Sequence, residues 1–465
     1  MGAGASATPE AVKAASEDDL KKFAEGMTPE DKQRLLGVLA QKAATLKAEK
    51  KASGVSVAVI YYSMYGHMTD MCKEMKKCME DSGVQVDMFQ VAETLPDEAL
   101  KAMGAPAKPG DIMTLDHASI GSLLPEYDGF VFGVPTRFGN MCGQIKSFFD
   151  STGGLWMAQK LSGKMATMIV STGTQNGGQE TTHLQTVSSL VHHGLCYVPL
   201  GYRCGEEQFK MEVGGGSPWG ASTIANGDGS RMPSEGEKKI VKAHAEAFAG
   251  VVKRSKQETP KKTAKMAIVY YSMYGHIKKM ADAIADAAKK EGVEVDLLQV
   301  SETLPEGVLG AMKAPPKADH TVIEHSNIEK LLDYDGIMFG LPTRFGQPAS
   351  QIKSFWDATG GLWAGGKLVG KLGASFVSTG TPQGGQETTH LTHLTNLVHH
   401  GMIFVPLGYA APEIFNMEEL HGGSPWGASC YAGPDGSREP SAIELAIATK
   451  QGQVFASKVK AMAVE

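Results

Sequence analysis

Uncommon strings occur twice in this chain, in the same order and 207 to 209 residues apart. Tyr61-Tyr62-Ser63-Met64-Tyr65-Gly66-His67 returns as Tyr270-Tyr271-Ser272-Met273-Tyr274-Gly275-His276. Pro135-Thr136-Arg137-Phe138-Gly139 returns as Pro342-Thr343-Arg344-Phe345-Gly346, and Ser171-Thr172-Gly173-Thr174 as Ser378-Thr379-Gly380-Thr381. Solenoid repeats run at roughly 20–50 residues. A period of this length is a whole domain, so the chain must fold as two copies of one unit. Each copy has enough chain to bury its own core.

The expected layout is an N-terminal extension over 1–54, a first domain over 55–252, a linker over 253–265 and a second domain over 266–465. The extension reads as helical, with starts at Ser16 to Leu20 and Thr28 to Asp31. The linker is basic and contains Pro260, the composition of an exposed connector. A net charge of −6 over 465 residues offers no concentrated basic face for nucleic acid. The six cysteines form no CxxC pair, which excludes a shared metal or disulfide framework and fits a reducing, cytoplasmic setting. No metal site is expected. The start Met1-Gly2-Ala3-Gly4-Ala5-Ser6 fits an N-myristoylation pattern, and acylation of Gly2 would add membrane contact, although one acyl chain anchors only marginally.

Within a copy, strand and helix patterns alternate. Val57 to Tyr62 is a continuous β-branched and apolar run, the pattern of a strand buried on both faces of a parallel sheet. Met68, Met71, Met75 and Met79 follow at helical spacing and read as core packing. Further strands are expected at Val84–Phe89, Phe130–Gly133, Met165–Val170 and Cys196–Pro199. The order predicts an α/β fold with a doubly wound, five-stranded parallel sheet, strand order 2-1-3-4-5.

In that order the three repeated strings fall at the carboxyl ends of neighbouring strands, where open α/β sheets bind ligands. The first loop has the makings of a phosphate cradle: a serine hydroxyl, converging backbone N–H groups and a following helix N-terminus. It lacks both GxxxxGK[ST] and GxGxxG, so it suits a single phosphomonoester better than a nucleoside triphosphate or a dinucleotide.

Taken together, Ser-Met-Tyr-Gly-His, Pro-Thr-Arg-Phe-Gly, Gly-Gly-Leu-Trp, Ser-Thr-Gly-Thr, Gly-Gly-Gln-Glu and His-His-Gly resemble the WrbA-type NAD(P)H:quinone oxidoreductases. These are flavodoxin-like FMN enzymes, and the resemblance covers both copies. It implies tandem flavodoxin-like domains that use FMN, with NADH or NADPH as electron donor and a quinone as acceptor in ping-pong order. A flavodoxin-like one-electron carrier is the alternative.

The resemblance also implies residue roles. Ser63, Met64, Tyr65, Gly66, His67 and Met68 would hold the FMN phosphate, as would Ser272, Met273, Tyr274, Gly275, His276 and Ile277, with Tyr65 and Tyr274 near the nicotinamide. Thr136, Arg137 and Phe138, and Thr343, Arg344 and Phe345, would wrap the isoalloxazine ring. Ser171, Thr172, Gly173, Thr174, Gln175 and Asn176 would complete one flavin loop, and Ser378, Thr379, Gly380, Thr381, Pro382 and Gln383 the other. His192 and His399 match a flavin-contacting histidine, and Trp156 and Trp363 a tryptophan that shapes the substrate pocket. From the residues alone, His192-His193 reads as a pair stabilised at a helix C-terminus. The glycines before Trp156 read as a loop.

The family implies a homo-oligomer whose pockets are completed by neighbours, and two fused copies predict a two-chain assembly with four flavodoxin-like units. The copies differ at Asn140-Met141-Cys142-Gly143 against Gln347-Pro348-Ala349-Ser350, and at Gln175-Asn176 against Pro382-Gln383. Those are the places where the two sites would be unequal.

Overall fold

The computed structural model describes residues 54–256 and 263–463. The helix starts near Ser16 and Thr28, the Gly2 acylation pattern and linker residues 257–262 lie outside them. Among the described residues no helix is long and apolar enough to cross a membrane.

The first copy builds strands β1 (Ser56–Tyr61), β2 (Gln85–Val91), β3 (Met113–Leu115), β4 (Gly129–Arg137), β5 (Asn140–Met141), β6 (Met165–Thr172), β7 (Cys196–Tyr197) and β8 (Ser222–Ile224). The second builds β9 (Lys265–Tyr270), β10 (Glu294–Val300), β11 (Thr321–Ile323), β12 (Gly336–Arg344), β13 (Gln347–Pro348), β14 (Leu372–Thr379), β15 (Ile403–Phe404) and β16 (Ser429–Tyr431). The parallel path β2-β1-β4-β6-β7, repeated as β10-β9-β12-β14-β15, is the 2-1-3-4-5 order of a flavodoxin-like sheet. The β1 and β6 strands are buried along their whole length, as their unbroken apolar runs require. Met68, Met71, Met75 and Met79 line the buried face of the His67–Asp81 helix, which fills one side of the core.

Two departures from five strands matter. β3 and β11 extend the outer edge beyond β2 and β10. The fifth position is split: β7 pairs with the first two residues of β6, and β8 with its last three. The chain between β7 and β8 leaves the sheet and returns. Its Trp219 is buried, its carbonyl accepting from the Tyr197 hydroxyl at 2.6 Å. The linker also starts later than expected. Lys253 and Arg254 form the last turn of the Glu235–Ser255 helix, which a Ser234–Glu237 capping box starts.

The two sheets join edge to edge. β7 pairs antiparallel with β15 through Tyr197 and Phe404, so one sheet runs the length of the molecule. Flanking this bridge, Gly201 faces Gly401 and Gly408 faces Gly194 so closely that a Cβ on Gly201 or Gly408 would stand 2.9 Å from the opposing Cα. Their φ angles of 63° and 58° are in the left-handed region, so glycine is needed for conformation as well as space. Arg254 donates to the Gly370 carbonyl at 2.6 Å and Lys458 to the Gly163 carbonyl at 2.7 Å, clamping the junction from opposite sides.

Both cores contain neutral histidines. Burial pushes His183, His244 and His390 down to about 3. Between pH 6.5 and 3 the unfolded chain therefore binds protons that the folded chain refuses, and stability falls as the pH falls through that window. Each such histidine costs about 2 kcal/mol at pH 5 relative to neutral pH. Thermal unfolding followed at pH 7.5 and pH 5.0 should show a markedly lower midpoint in acid, and equal midpoints would contradict this account.

Candidate functional site

The first repeated loop forms a cradle. Ser63 is buried, and its Oγ accepts from the Gly66 backbone N–H at 3.1 Å, as Ser272 Oγ does from Gly275 at 3.1 Å. Gly66 and Gly275 cap the His67–Asp81 and His276–Lys290 helices at φ 96°, with no side-chain cap on either. The first-turn N–H groups are thus largely left to meet an anion, although the Lys278 N–H in the second copy donates to Ser272 Oγ at 3.4 Å. His67 is buried with no hydrogen-bond partner at Nε2, and it lines the cavity. An orphaned imidazole nitrogen beside a helix N-terminus fits a phosphate oxygen.

In the first copy a cavity of about 380 Å³ opens above this cradle. Ser63, Met64, Tyr65, His67 and Met68 line it from the first loop, Thr136 and Arg137 from the second, and Ser171, Thr172 and Gly173 from the third. In the second copy the cavity is about 250 Å³, lined by Ser272, Met273, Tyr274, His276 and Ile277, by Thr343 and Arg344, and by Ser378, Thr379 and Gly380. Thr182 Oγ1 donates to Thr136 Oγ1 at 2.8 Å, and Thr343 and Thr389 are likewise 2.8 Å apart, tying the second loop to the helix after the third. The crevice is deep enough for a ring system and ends in an anion cradle, the shape an FMN requires.

Other expected residues are not at this crevice. Phe138 and Phe345 are fully exposed, their φ angles of 56° and 55° turning them out at the tips of tight hairpins. Thr174, Gln175 and Asn176, with Thr381, Pro382 and Gln383, are exposed beyond the cavity. Asn176 lines a neighbouring cavity of about 500 Å³ with Glu180, Tyr202 and Phe209.

The sequence mismatches leave the backbone alone. Pro348 pairs with Thr343 as Met141 does with Thr136, and Asn176 and Gln383 share φ near 55°. The copies differ instead at a position that sequence reading missed. His276 Nε2 contacts the Arg438 carbonyl at 3.0 Å, whereas His67 has no counterpart to that bond.

A fourth loop, Ala225–Gly229 and Ala432–Gly436, closes each cavity. Its signal was present: Asp228-Gly229-Ser230-Arg231 repeats as Asp435-Gly436-Ser437-Arg438. The loop is held from below by a buried carboxylate. Glu237 Oε1 accepts from the Gly215 and Ile224 backbone N–H groups at 3.0 Å, and Arg231 Nη1 reaches both carboxylate oxygens at 3.0 Å. Glu444 and Arg438 repeat the arrangement.

The tryptophans and histidines lie at the junction. Trp156 is in a short helix, Gly153–Met157, and not the expected loop. The Gln179–His192 helix starts at the third loop of its own copy and places His192 about 20 Å away from it. There His192 Nδ1 is 3.1 Å from the hydroxyl of Tyr409, a second-copy residue, and the Trp156 ring meets Tyr409 edge-on at 5.2 Å. Burial pushes the His192 imidazole down, and the carboxylate of Glu387, at the start of the second copy's Gln386–His399 helix, partly offsets it. The reciprocal cluster joins His399, Trp363 and Tyr202, again 3.1 Å between Tyr202 and His399, beside Glu180. Each histidine therefore meets a tyrosine of the other copy and the field of the glutamate that starts that copy's helix after the third loop, and each tryptophan packs on the same tyrosine. The second half of His-His differs: His193 Nε2 is 2.7 Å from Thr152 Oγ1, inside its own copy. Tyr202 and Tyr409 went unnoticed in the sequence, although Pro199-Leu200-Gly201-Tyr202 repeats as Pro406-Leu407-Gly408-Tyr409.

Comparison with known proteins agrees with the duplication. The model of the family described as NADPH-dependent FMN reductase matches twice, at residues 55–208 and 271–416. Quinone-oxidoreductase QR2 of Triphysaria versicolor is 54% identical over 198 residues, 42% of this chain and 95% of the relative. Minor allergen Alt a 7 of Alternaria alternata is 53% identical over 193 residues, covering 41% of this chain and 94% of the relative. NAD(P)H quinone oxidoreductase PST2 of Candida albicans is 49% identical over 192 residues, again 41% of this chain and 94% of the relative. Each relative is about one copy long. Among solved structures, a WrbA-like flavodoxin from Agrobacterium tumefaciens is 20% identical, covers 43% of this chain and 98% of its own, and has a TM-score of 0.30.

The carboxylate beneath the fourth loop generates a stability prediction. Arg231→Met leaves Glu237 buried without its cation and should cost about 3 kcal/mol in urea unfolding of the first copy. The surface substitution Lys242→Met should cost less than about 0.5 kcal/mol.

Proposed function

The chain belongs to the NADPH-dependent FMN reductase family, and from that premise we propose that it is an NAD(P)H:quinone oxidoreductase with two active sites. FMN, when bound, supplies the two-electron chemistry, taking electrons from NADH or NADPH and passing them to a quinone, with donor and acceptor alternating at one site. What carries this reading is the crevice. Three repeated strings converge around it in both copies, above a helix N-terminus, in a chain whose one-copy relatives include quinone oxidoreductases.

The protein's own groups divide the work. Ser63 and the first-turn N–H groups bind the phosphate, and His67 offers its free nitrogen. Arg137 and Arg344 bring positive charge to the second loop, where it favours negative charge developing on a bound ring. Tyr65 and Tyr274 are partly exposed beside the cavity, positions suited to steering the nicotinamide. Conversion of a quinone to its hydroquinone takes up two electrons and two protons. The Tyr202–His399 pair would supply a proton at the first site and Tyr409–His192 at the second, with Trp363 and Trp156 packed edge-on against the respective tyrosines.

The reading also favours a two-chain assembly. Phe138, Met157, Phe209 and Met211 are exposed on the first copy, and Phe345, Phe415, Met417 and Leu420 on the second. Exposed apolar rings and thioethers in this number are the kind of surface that a second copy of this chain would cover. Its mass in solution would then be twice 49.4 kDa.

Purified protein should bind two FMN per chain, and anaerobic mixing with NADH or NADPH should bleach the flavin absorbance. If neither donor does so, the enzyme reading fails. Crossed supply of the histidines is tested with paired substitutions. His192→Ala with Arg344→Ala damages only the second site and should leave about half the wild-type turnover. His192→Ala with Arg137→Ala damages both sites and should fall well below that. Histidines acting within their own copy would give the reverse ranking.

A further inference from the structure

Behind each phosphate cradle lies a half-buried cation that none of the assignments above uses. Lys108 comes from the irregular stretch after the Asp97–Ala102 helix and folds back under the first loop. Its Nζ donates to the Ser63 carbonyl at 2.8 Å, lies 3.1 Å from Glu93 Oε2 and sits 3.9 Å above the Tyr62 ring. Lys317 repeats this, with 3.1 Å to the Ser272 carbonyl, 2.8 Å to Glu302 and 4.6 Å to the Tyr271 ring.

The carboxylate that holds the lysine is itself fixed. Glu93 accepts from Tyr62 Oη at 2.8 Å, Gln144 Nε2 at 2.7 Å and the Thr94 N–H at 2.9 Å. Burial pushes its carboxyl up, but these bonds together outweigh burial and bring it down to about 2. Burial lowers the Lys108 pKa, and the bond to Glu93 partly offsets this. A charge that is costly to bury is thus kept against one particular carbonyl.

That carbonyl belongs to the peptide linking Ser63 to Met64. In a trans peptide the C=O and the following N–H point in opposite directions. Holding the Ser63 oxygen toward Lys108 turns the Met64 N–H the other way, and Met64 lines the cavity. Among the described residues this N–H has no acceptor, and the same holds for Met273. Each lysine therefore sets the direction of a donor that no protein acceptor among the described residues satisfies.

We propose that Lys108 and Lys317 are positioning residues for the flavin phosphate, each orienting the Met64 or Met273 N–H through the serine carbonyl and adding positive charge beneath the cradle. This rests on the crevice being an FMN site. The action is on the phosphate, so it should distinguish FMN from riboflavin, which has the same ring and no phosphate.

The test is a titration of the full-length, flavin-free chain with FMN and with riboflavin, followed by flavin fluorescence. Lys108→Met keeps an unbranched stem over Tyr62 but removes the donor and the charge. It should weaken FMN at one of two sites by about tenfold or more, and riboflavin by less than about threefold. The unaltered second copy serves as reference within the same molecule. Lys108→Arg should recover most of the lost affinity. FMN binding to Lys108→Met with wild-type affinity at both sites, or equal losses for FMN and riboflavin, would overturn the proposal. A wild-type chain that binds no FMN would overturn the flavin reading beneath it.

Discussion

The close approach of glycine backbones at the junction governs the rest of the molecule. Gly201 against Gly401 and Gly408 against Gly194 leave no room for a side chain, and between them Tyr197 and Phe404 make the one strand bridge that joins the sheets among the described residues. Bringing the sheet edges this near sets the Gln179–His192 and Gln386–His399 helices so that the end of each meets the start of the other. From that single geometry follow the Tyr409–His192 and Tyr202–His399 pairs and the tryptophans that meet these tyrosines edge-on. A looser junction would keep both flavodoxin-like folds and both cradles, but separate each histidine from the other copy's tyrosine.

Around the crevice, two carboxylates, Glu93 half-buried and Glu237 buried, do what secondary structure cannot. The sheet delivers loops to one end, yet loops at strand ends have few neighbours and are intrinsically mobile. Glu93 gathers Tyr62, Gln144, Lys108 and the Thr94 backbone, connecting the first loop to the helix that follows the second. Glu237 gathers Arg231, Thr223 and three backbone N–H groups under the fourth. Both use a charged acceptor for several donors at once, where each charge-assisted bond is roughly twice as strong as a neutral one. The crevice is therefore rigid before any ligand enters, which lowers the ordering cost of binding.

Much of the fold was legible because it depends on local rules. Apolar runs such as Val57–Tyr62 and the methionine stripe can satisfy their burial in only a few ways, and strand order follows from right-handed crossovers. The three loops were legible because identical strings recurred where ligands bind. What escaped were features that exist only between distant segments. Nothing local marks Lys108 as lying under Ser63, or tells that Tyr409 will meet His192 across a junction. Family resemblance pointed to His192 and Trp156 but carried no information on which copy's site they would serve. The split fifth strand was hidden because its two pieces, Cys196–Tyr197 and Ser222–Ile224, are each too short to show a period.

Fusion changes what such a junction can be. In a symmetric pair of separate chains every interface residue appears twice, and a substitution is felt on both sides of the axis. Here the acceptors remain paired, Gly163 and Gly370, while the donors have diverged. Arg254 reaches Gly370, and Lys458, from a different turn of the matching helix, reaches Gly163. Arg203 stands on one side where Ala410 stands on the other. The same freedom reaches the crevices: His276 is tied to the Arg438 carbonyl and His67 is not, and Gly433-Pro434 replaces Asn226-Gly227 in the fourth loop. Pro434 restricts the loop of the second cavity, which is also the smaller of the two. Two sites of one ancestry need not stay equal once they are on one chain, because a change at either no longer has to suit both.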